Sequence, residues 1–483
     1  MTRTGAAERR RQRVLTTTAE LVAERGYRGL KVAELVGRAG VSLLTVRKLF
    51  GDKLGCYLAL LDRTAAEARR ECAEASETAG GAQRERLSAT VGALFEAAAE
   101  HPATARACLV EPFAAGPEAI DRHRQALAEL GGALLEDAGE LPETVAIGLG
   151  AAALWLPERC LLEGEPGRIP ELTREAVEFA IAAREHAEGT PERSRSRPAE
   201  GQHRLETRGG SSHGERPEEA VLGPLPTGRH GLTRAAVQRS QRERLLSAVT
   251  EAVAERGYAA TRISDVVKRA AVSRRAFYEN FESIEECLLD AFEIVVRHFG
   301  EIAAEAAAAE GGDPPRRAIA ALRAVLDFLA AEPDLARVCM VESLATGAMG
   351  QRRYREAVDG FAAALRTSLA VTPGGGASAG SVQMAVGSVA MVVSLRIAAG
   401  GVEDLPSLEP ELAQLLIGPL HAWGSLPNRA RAVRIAVRTC ASAPPSTSPP
   451  SPAAPSSSSS TRSTRPRTGR SSPLRPVSNA SGL

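Results

Sequence analysis

Apolar residues recur along this chain with the spacing of α-helices. They fall on one helical face over residues 14–22, 32–36 and 44–50. Gly26 stands where the first of these helices should end, because a helix C-terminus favours a residue that tolerates positive φ. Ser42 is placed to cap the third helix. The pattern predicts two short helices joined by a tight turn and braced by the first helix, which is a helix-turn-helix.

The same pattern occurs a second time. The letters ERGY stand at residues 24–27 and again at 255–258, an offset of 257 − 26 = 231. The offset holds without a gap for about a hundred residues, so that Cys56 falls on Cys287 and Glu111 on Glu342. Such a repeat is far longer than a solenoid unit and long enough to bury its own core. The chain is therefore predicted to contain two related helical domains in tandem.

Amphipathic helices follow each predicted helix-turn-helix, so we predict an all-α fold. Residues 151–156 and 391–395 are apolar on too many faces for a helix packed on one side only. The match between the halves breaks at residues 372–376, where a loop insertion is expected. The helices expected after the first helix-turn-helix are 54–77, 83–99, 103–111, 118–135, 143–162 and 171–187. Those expected in the second half are 285–308, 315–331, 335–344, 351–369, 381–399 and 408–423.

Composition separates the domains from the segments between them. Residues 188–232 and 441–483 are rich in Ser, Pro, Gly and Arg and poor in apolar residues, so we predict a disordered linker and a disordered tail. Residues 1–8 are assigned to a disordered N-terminus. The predicted DNA-binding units are residues 9–55 and 233–286, and the predicted helical regulatory and dimerisation domains are residues 56–187 and 287–426.

Several other classes of function lack a signal. The seven cysteines show no metal-ligand spacing and are expected to be buried thiols. We identify no catalytic motif, metal site, cofactor site or membrane-spanning segment, so the protein is expected to be a cytoplasmic, nucleoid-associated protein and not an enzyme. The alternative from a different class is a helical scaffold in which one or both helix-turn-helix units have lost DNA binding.

The two frames carry a specific resemblance. The frame Tyr27, Val32, Ala33, Ala39-Gly40-Val41-Ser42, Thr45, Phe50 and Lys53 resembles the DNA-binding domain of the bacterial tetracycline-repressor (TetR) family. The frame Tyr258, Ile263, Ala270-Ala271-Val272-Ser273, Phe277-Tyr278, Phe281 and Glu285 is similar to it as well. The resemblance implies, for each half, three DNA-binding helices followed by a helical ligand-binding domain. It also implies a transcriptional regulator, with repression as the family default.

Candidate DNA contacts follow from the resemblance and from the geometry of the major groove, which admits one α-helix. Residues 1–60 carry 12 basic and 5 acidic side chains, an excess of about seven that suits attraction to phosphate. The corresponding segment of the second half has an excess of only about two. The candidates in the first half are Val32, Ser42, Leu43, Leu44, Thr45, Arg47, Lys48 and Lys53. Those in the second half are Ile263, Ser273, Arg274, Arg275, Ala276, Tyr278 and Glu279.

Each half departs from the family pattern at a different place. Arg47 stands where the family usually has a tyrosine that contacts phosphate, and the second half keeps this residue as Tyr278. The lysine that opens the fourth helix is kept as Lys53 but is replaced by Ile284. Two readings stay open, one in which both units bind DNA and one in which one unit is degenerate.

Partners are implied by the resemblance. They are a double-stranded DNA operator, a small apolar effector, and self-association through the last two helices of each unit. A linker of 45 residues reaches about 35 to 40 Å, close to the spacing of two half-sites, so one chain can pair its own halves. Two chains pairing like with like is the alternative. Arg106 with Glu111, and Arg337 with Glu342, either line an effector cavity or form an ion pair.

Overall fold

The computed structural model describes residues 3–134, 142–189, 234–310, 314–369 and 378–418. Within these ranges every regular element is helical and there is no strand, which confirms the all-α prediction. The first helix begins at Arg3, inside the segment 1–8 that we predicted to be disordered. Ala6, Ala7 and Glu8 are favourable helix residues, and they continue the helix toward the N-terminus.

The first helix-turn-helix forms as the pattern predicted. It consists of α1 (Arg3–Gly29), α2 (Val32–Ala39) and α3 (Leu43–Phe50). The regular part of α1 breaks at Gly26, which has φ 71° and ψ 163°. Gly40 ends α2 in the left-handed conformation, with φ 61°. Ser42 caps α3, since its side-chain oxygen accepts a hydrogen bond from the Thr45 backbone N–H at 3.1 Å.

The remaining helices of the first half agree with the predicted order, with one additional short helix. They are α4 (Lys53–Ala79), α5 (Gln83–Glu100), α6 (Pro102–Val110), α7 (Pro112–Ala115), α8 (Pro117–Leu134), α9 (Glu143–Glu163) and α10 (Thr173–Gly189), with a 3₁₀ helix at Pro166–Leu172. The additional helix is α7. Pro112 and Pro117 stand at the starts of α7 and α8, where a missing backbone N–H is tolerated, so the chain is divided at these points.

The second half repeats this order. It contains α11 (Arg234–Arg256), α12 (Ile263–Arg269), α13 (Arg274–Tyr278), α14 (Ile284–Glu310), α15 (Pro314–Ala331), α16 (Pro333–Arg337), α17 (Ala348–Leu369), α18 (Ala379–Ala398) and α19 (Glu409–Ile417). A π-helical turn occupies Val338–Glu342, and 3₁₀ helices occupy Leu344–Thr346 and Leu405–Leu408. The helix α13 ends at Tyr278, earlier than the expected end at Phe281.

Buried apolar side chains form separate cores for the DNA-binding units and a common core for the other helices. Val14, Leu35 and Tyr57 belong to the core under α1 to α4. Val249 and Phe277 belong to the corresponding core under α11 to α14. The helices that follow, from both halves, contribute side chains to one continuous cluster.

The helices α9 and α18 join the two halves. Both are apolar on nearly all faces, and they pack directly against each other, with α10 and α19 packed beside them. Each is long and apolar enough to cross a membrane by length and composition alone. The most apolar window is 89% buried inside the fold for α9 and 67% for α18. Their hydropathy is therefore accounted for by burial in the common core.

Several predicted segments lie outside the described residues. These are the tail 441–483, the insertion at 372–376 and nearly all of the linker 188–232. The linker prediction overlaps the end of α10, which continues to Gly189. The last predicted helix, 408–423, is described as far as residue 418 and begins at Glu409, after the 3₁₀ helix.

Gly40 and Ala271 occupy equivalent left-handed positions, because 40 + 231 = 271, and they provide a matched test of backbone strain. Ala271 has φ 49° and is the one non-glycine residue with positive φ among those the structure describes. We expect Ala271→Gly to stabilise the protein and Gly40→Ala to destabilise it, each by about 1 kcal/mol, because an L-residue is strained in this conformation. Urea unfolding monitored by circular dichroism measures both changes.

Gly92→Ala is the control for this comparison. A Cβ at Gly92 meets no atom within 4 Å, and the residue lies inside α5. Alanine should therefore stabilise α5 through helix propensity, the opposite sign to Gly40→Ala. Loss of stability in Ala271→Gly would contradict the prediction.

Candidate nucleic-acid interface

The helix α3 presents a basic and partly apolar face to solvent. Leu44 is 75% exposed, and Leu43, Arg47 and Lys48 are exposed as well. Val46 points the other way and is buried in the core of the unit. Thr45 is half-buried, and its hydroxyl lies 2.9 Å from the Ser42 hydroxyl. The outward side of α3 therefore offers two cations beside two leucines, a surface that can meet phosphates and base edges.

The helix α13 presents a different face. Its Ser273 cap accepts a hydrogen bond from the Ala276 backbone N–H at 3.0 Å. Arg274, Arg275 and Tyr278 are exposed, and the Arg274 guanidinium lies 5.9 Å from the centre of the Tyr278 ring. Glu279 is exposed too, and it pairs with Arg275 at 2.9 Å. The second face is therefore richer in hydrogen-bonding groups than the first.

Three of the sequence-predicted contacts are placed differently. Ala276 is 5% exposed, so its side chain packs inward and is corrected from a DNA contact to a core residue. Val32 and Ile263 are half-buried at the first positions of α2 and α12 and pack partly against their own units. Ala276 and Phe277 both lie on the inner side of α13, where they pack against the rest of the unit.

An arginine of the first helix of each unit lies against a phenylalanine at or just after the end of α3 or α13. The guanidinium of Arg11 lies 5.2 Å from the centre of the Phe50 ring, and that of Arg242 lies 4.5 Å from the centre of the Phe281 ring. Arg242 also forms an ion pair with Asp290. Arg11 and Arg242 are equivalent at the offset of 231, and the guanidinium of each lies against a phenylalanine ring.

Lys53, the first residue of α4, contacts two residues near the end of α1. Its ammonium lies 4.2 Å from the centre of the Tyr27 ring and 3.4 Å from the Arg28 carbonyl oxygen. Partial burial, followed by the positive charge of Arg28, lowers the pKa of Lys53. The ammonium of Lys53 is therefore partly held by its own unit.

Buried carboxylates tie each DNA-binding unit to the domain behind it. The backbone N–H of Tyr27 donates to Glu111 at 2.9 Å, and that of Tyr258 donates to Glu342 at 2.8 Å. Both tyrosines follow a glycine with positive φ, 71° at Gly26 and 73° at Gly257. The same connection therefore occurs twice, each time spanning 84 residues. It links the end of the first helix to the turn that precedes α7 in one half and to the π-helical turn in the other.

The arginines expected to pair with these carboxylates behave differently in the two halves. Arg106 donates to the Leu161 carbonyl oxygen at 2.9 Å and makes no direct hydrogen bond to Glu111, so the ion pair, one of the two alternatives, does not form in the first half. Arg337 lies 3.3 Å from Glu342, so the pair forms in the second. Burial raises the pKa of Glu111, and the hydrogen bond from Tyr27 acts in the opposite direction.

The two helical domains contain unlike cavities. The cavity of the second half has a volume of about 220 Å³ and an apolar lining that includes Phe292, Phe299, Met340 and Val393. The depression in the first half is larger, about 760 Å³. Charged side chains of both signs line it, together with Cys108, Leu109 and His123. An apolar ligand therefore fits the second half better.

The DNA-binding units also contact each other, which the sequence did not predict. The guanidinium of Arg28 lies 4.2 Å from the centre of the Tyr258 ring. Burial raises the pKa of Glu285, and the nearby charge of Arg28 lowers it. The repeat itself aligns Tyr27 with Tyr258 but contains no signal for a contact between the two halves.

Neither a metal site nor a reactive thiol is present in the part of the chain that the structure describes. No group of three His, Cys, Asp or Glu side chains is arranged to hold a metal ion there. The six cysteines in these ranges are free and buried. Burial raises the pKa of Cys56 and Cys72 to about 11, so both are held as thiols.

In each three-helix unit the second helix of the helix-turn-helix, α3 or α13, is capped by a serine and faces outward. This arrangement defines a helix-turn-helix DNA-binding protein. Residues 245–291, which include α12 and α13, match the family model described as bacterial regulatory proteins, tetR family. This segment of the chain is therefore of the tetR-family type.

Two solved structures are similar to part of the chain, while no curated protein sequence matches it. One is the fatty acid degradation regulator FadR from Bacillus halodurans, with 18% identity, 39% of this chain and 97% of that chain covered, and a TM-score of 0.30. The other is the transcriptional regulator FadR from Bacillus subtilis in complex with stearoyl-CoA. It has 20% identity, 37% and 99% coverage, and a TM-score of 0.31.

Removal of the Glu111 carboxylate tests the connection between reading unit and helical domain. We expect Glu111→Ala to lower the free energy of unfolding by about 1–3 kcal/mol, because the partly buried Tyr27 N–H loses its acceptor. Glu111→Gln keeps an oxygen acceptor and should recover part of this loss. Urea unfolding gives the values, and Glu96→Ala, at an exposed position on α5, is the control. Equal losses in Glu111→Ala and Glu96→Ala would contradict the assignment.

His123 should make the protein sensitive to acid. Burial lowers the pKa of His123 to about 4, whereas an unfolded histidine has a pKa of about 6.5. As the pH falls below 6.5, this histidine binds a proton in the unfolded chain but stays neutral in the folded one. Folding stability is therefore lost, and the loss levels off near pH 4 at about 3 kcal/mol. His123→Gln should remove this component in urea unfolding at pH 7 and pH 4.5. His298→Gln, at an exposed site, should keep the full acid dependence.

Proposed function

We propose that the protein is a sequence-specific transcriptional regulator that binds operator DNA with both halves and performs no catalysis. The observation that carries this proposal is the pair of serine-capped, outward-facing helices, α3 and α13, the second of which lies in the matched tetR-family segment. Such helices read DNA when they enter the major groove and when flanking cations meet phosphates.

The two reading helices are suited to different base sequences. The face of α3 combines Arg47 and Lys48 with exposed leucines, which favour contact with thymine methyl groups. The face of α13 combines Arg274 with Tyr278, and arginine recognises guanine through two hydrogen bonds. A protein that presents one of each face would bind an operator with unlike half-sites.

Pairing of the halves within one chain would supply the two faces together. Contacts of α9 with α18, and of Arg28 with Tyr258, support this arrangement. A 45-residue linker between the halves is long enough to permit it. The competing assembly has two chains and four reading helices, and it would bind a longer palindromic site.

An apolar effector would act through the cavity of the second half. Met340 lines that cavity and belongs to the same π-helical turn as Glu342, which holds the Tyr258 N–H. A ligand that displaces Met340 would therefore shift the carboxylate that positions α11 and the reading helix behind it. If the ligand binds the shifted state more tightly, the operator is released, which is the behaviour of a ligand-released repressor.

Selection of bound sequences from random DNA, with variants of each reading helix, tests the proposal. We expect one enriched site with two unlike half-sites. Arg47→Ala should relax preference in one half-site and Arg274→Ala in the other. Each should weaken binding by about 1–3 kcal/mol, since a base or phosphate contact is removed. Fluorescence anisotropy with the selected site, over a series of salt concentrations, measures these losses.

Arg297→Ala, which changes an exposed arginine on α14, is the control and should bind as the wild type does. Absence of DNA binding even at low salt would contradict the regulator and favour a helical scaffold. Loss of preference in the same half-site for both variants would contradict separate reading by the two halves.

A further inference from the structure

The helices that join the halves are equivalent but not identical. The helix α9 begins at Glu143 and α18 at Ala379, and the helices that follow them, α10 and α19, begin at Thr173 and Glu409. Equivalent residues here therefore differ by 379 − 143 = 236. Trp155 is therefore equivalent to Met391, and Ala151 to Gly387. Glu158 is equivalent to Ser394 by the same offset.

Trp155 of the first half packs onto Gly387 of the second. A Cβ added to Gly387 would lie 2.3 Å from Cδ2 of the Trp155 indole, closer than two carbon atoms approach. Both residues are buried at the packed surface between α9 and α18. The indole therefore requires a glycine at the position it faces.

A pair of first halves does not meet this requirement. In such a pair Ala151 takes the place of Gly387, and each Trp155 meets a methyl group at the distance of the clash. The pair is symmetric, so the clash occurs twice. Packed interiors accommodate an added methyl poorly, because the surrounding side chains leave no space for it.

Arg355 disfavours the other like pair, that of two second halves. It donates to the Trp155 carbonyl oxygen at 2.6 Å, and its guanidinium lies 3.9 Å from the centre of the Trp155 ring. It also forms an ion pair with Glu158 across the interface. The side chain of Arg355 is 5% exposed and that of Glu158 is 7% exposed, so both charges depend on each other.

A pair of second halves leaves this charge without its carboxylate. Ser394 takes the place of Glu158, and each Arg355 is then a buried cation that faces a hydroxyl. The residue equivalent to Arg355 in the first half is Arg124, since 124 + 231 = 355. Arg124 is 32% exposed and pairs with Asp121 at 2.8 Å on its own helix. The first half therefore has no arginine at this position that needs a carboxylate from across the interface.

We infer that the interface selects unlike pairing: Trp155 on Gly387 rejects two first halves, and Glu158 with Arg355 rejects two second halves. This inference rests on the pairing within one chain proposed above. The partner surface of each half is the unlike half. The linker holds the two halves of one chain at an effective concentration far above micromolar, so at micromolar protein the unlike halves pair within one chain. Every molecule consequently presents one α3 face and one α13 face to DNA.

Exchange of the four selecting residues between the halves should reverse the preference. The variant Ala151→Gly, Gly387→Ala, Glu158→Ser, Ser394→Glu has the composition of the wild type. Like pairing now places Trp155 on glycine and Arg355 beside a carboxylate, whereas unlike pairing has the clash and lacks the ion pair. Sedimentation of the full chain at micromolar concentrations should give a monomer for the wild type and twice that mass for the variant.

A second measurement applies if the exchanged chain does not fold. Gly387→Ala should lower the apparent melting temperature by several degrees in the wild type and have little effect in a Trp155→Met background, where the indole is absent. Gly92→Ala, whose added Cβ meets nothing, is the control for the glycine change.

Three results would overturn the inference. They are a wild type of doubled mass, a folded exchange variant that stays monomeric, and an equal effect of Gly387→Ala in both backgrounds. None of these measurements contains DNA, so they are independent of the outcome of the operator selection. A protein that fails to bind DNA can still show unlike pairing, and a DNA-binding protein can still lack it.

Discussion

The packing of α9 against α18 is the constraint on which the rest of the structure depends. Each helix is apolar on nearly all faces, so neither can lie on a domain surface without exposing a large apolar area to water. Burying them against each other removes that surface and merges the helical domains of both halves into one core. The separate cores of the DNA-binding units are attached to this body through α1 and α11.

That attachment is polar and repeated. A glycine with positive φ turns the chain, and the next backbone N–H is held by a buried carboxylate from a distant helix, Glu111 in one half and Glu342 in the other. Such a contact is directional, so it sets the position of a reading unit more narrowly than apolar packing does. In the second half the carboxylate lies two residues from Met340, which lines the apolar cavity. The apolar cavity and the end of α11 are therefore joined by a short physical connection.

The two halves have diverged in complementary ways. Differences at the interface, such as Trp155 opposite Gly387, make each half fit the other. Differences between α3 and α13 give two unlike exposed faces. Differences in the cavities make the second the better site for an apolar ligand. One shared core holds these unlike parts of the two halves together.

Local structure could be predicted from the sequence: the helical fold, the turn glycines Gly26 and Gly40, and the caps Ser42 and Ser273. These depend on residues that are neighbours along the chain, and periodicity records such relations directly. Tertiary packing places Glu111 on the Tyr27 N–H and Lys53 on the Tyr27 ring, and it buries Ala276. It also decided which side chains face each other between the halves. Partners far apart in sequence are selected by packing and burial, and no local spacing encodes those.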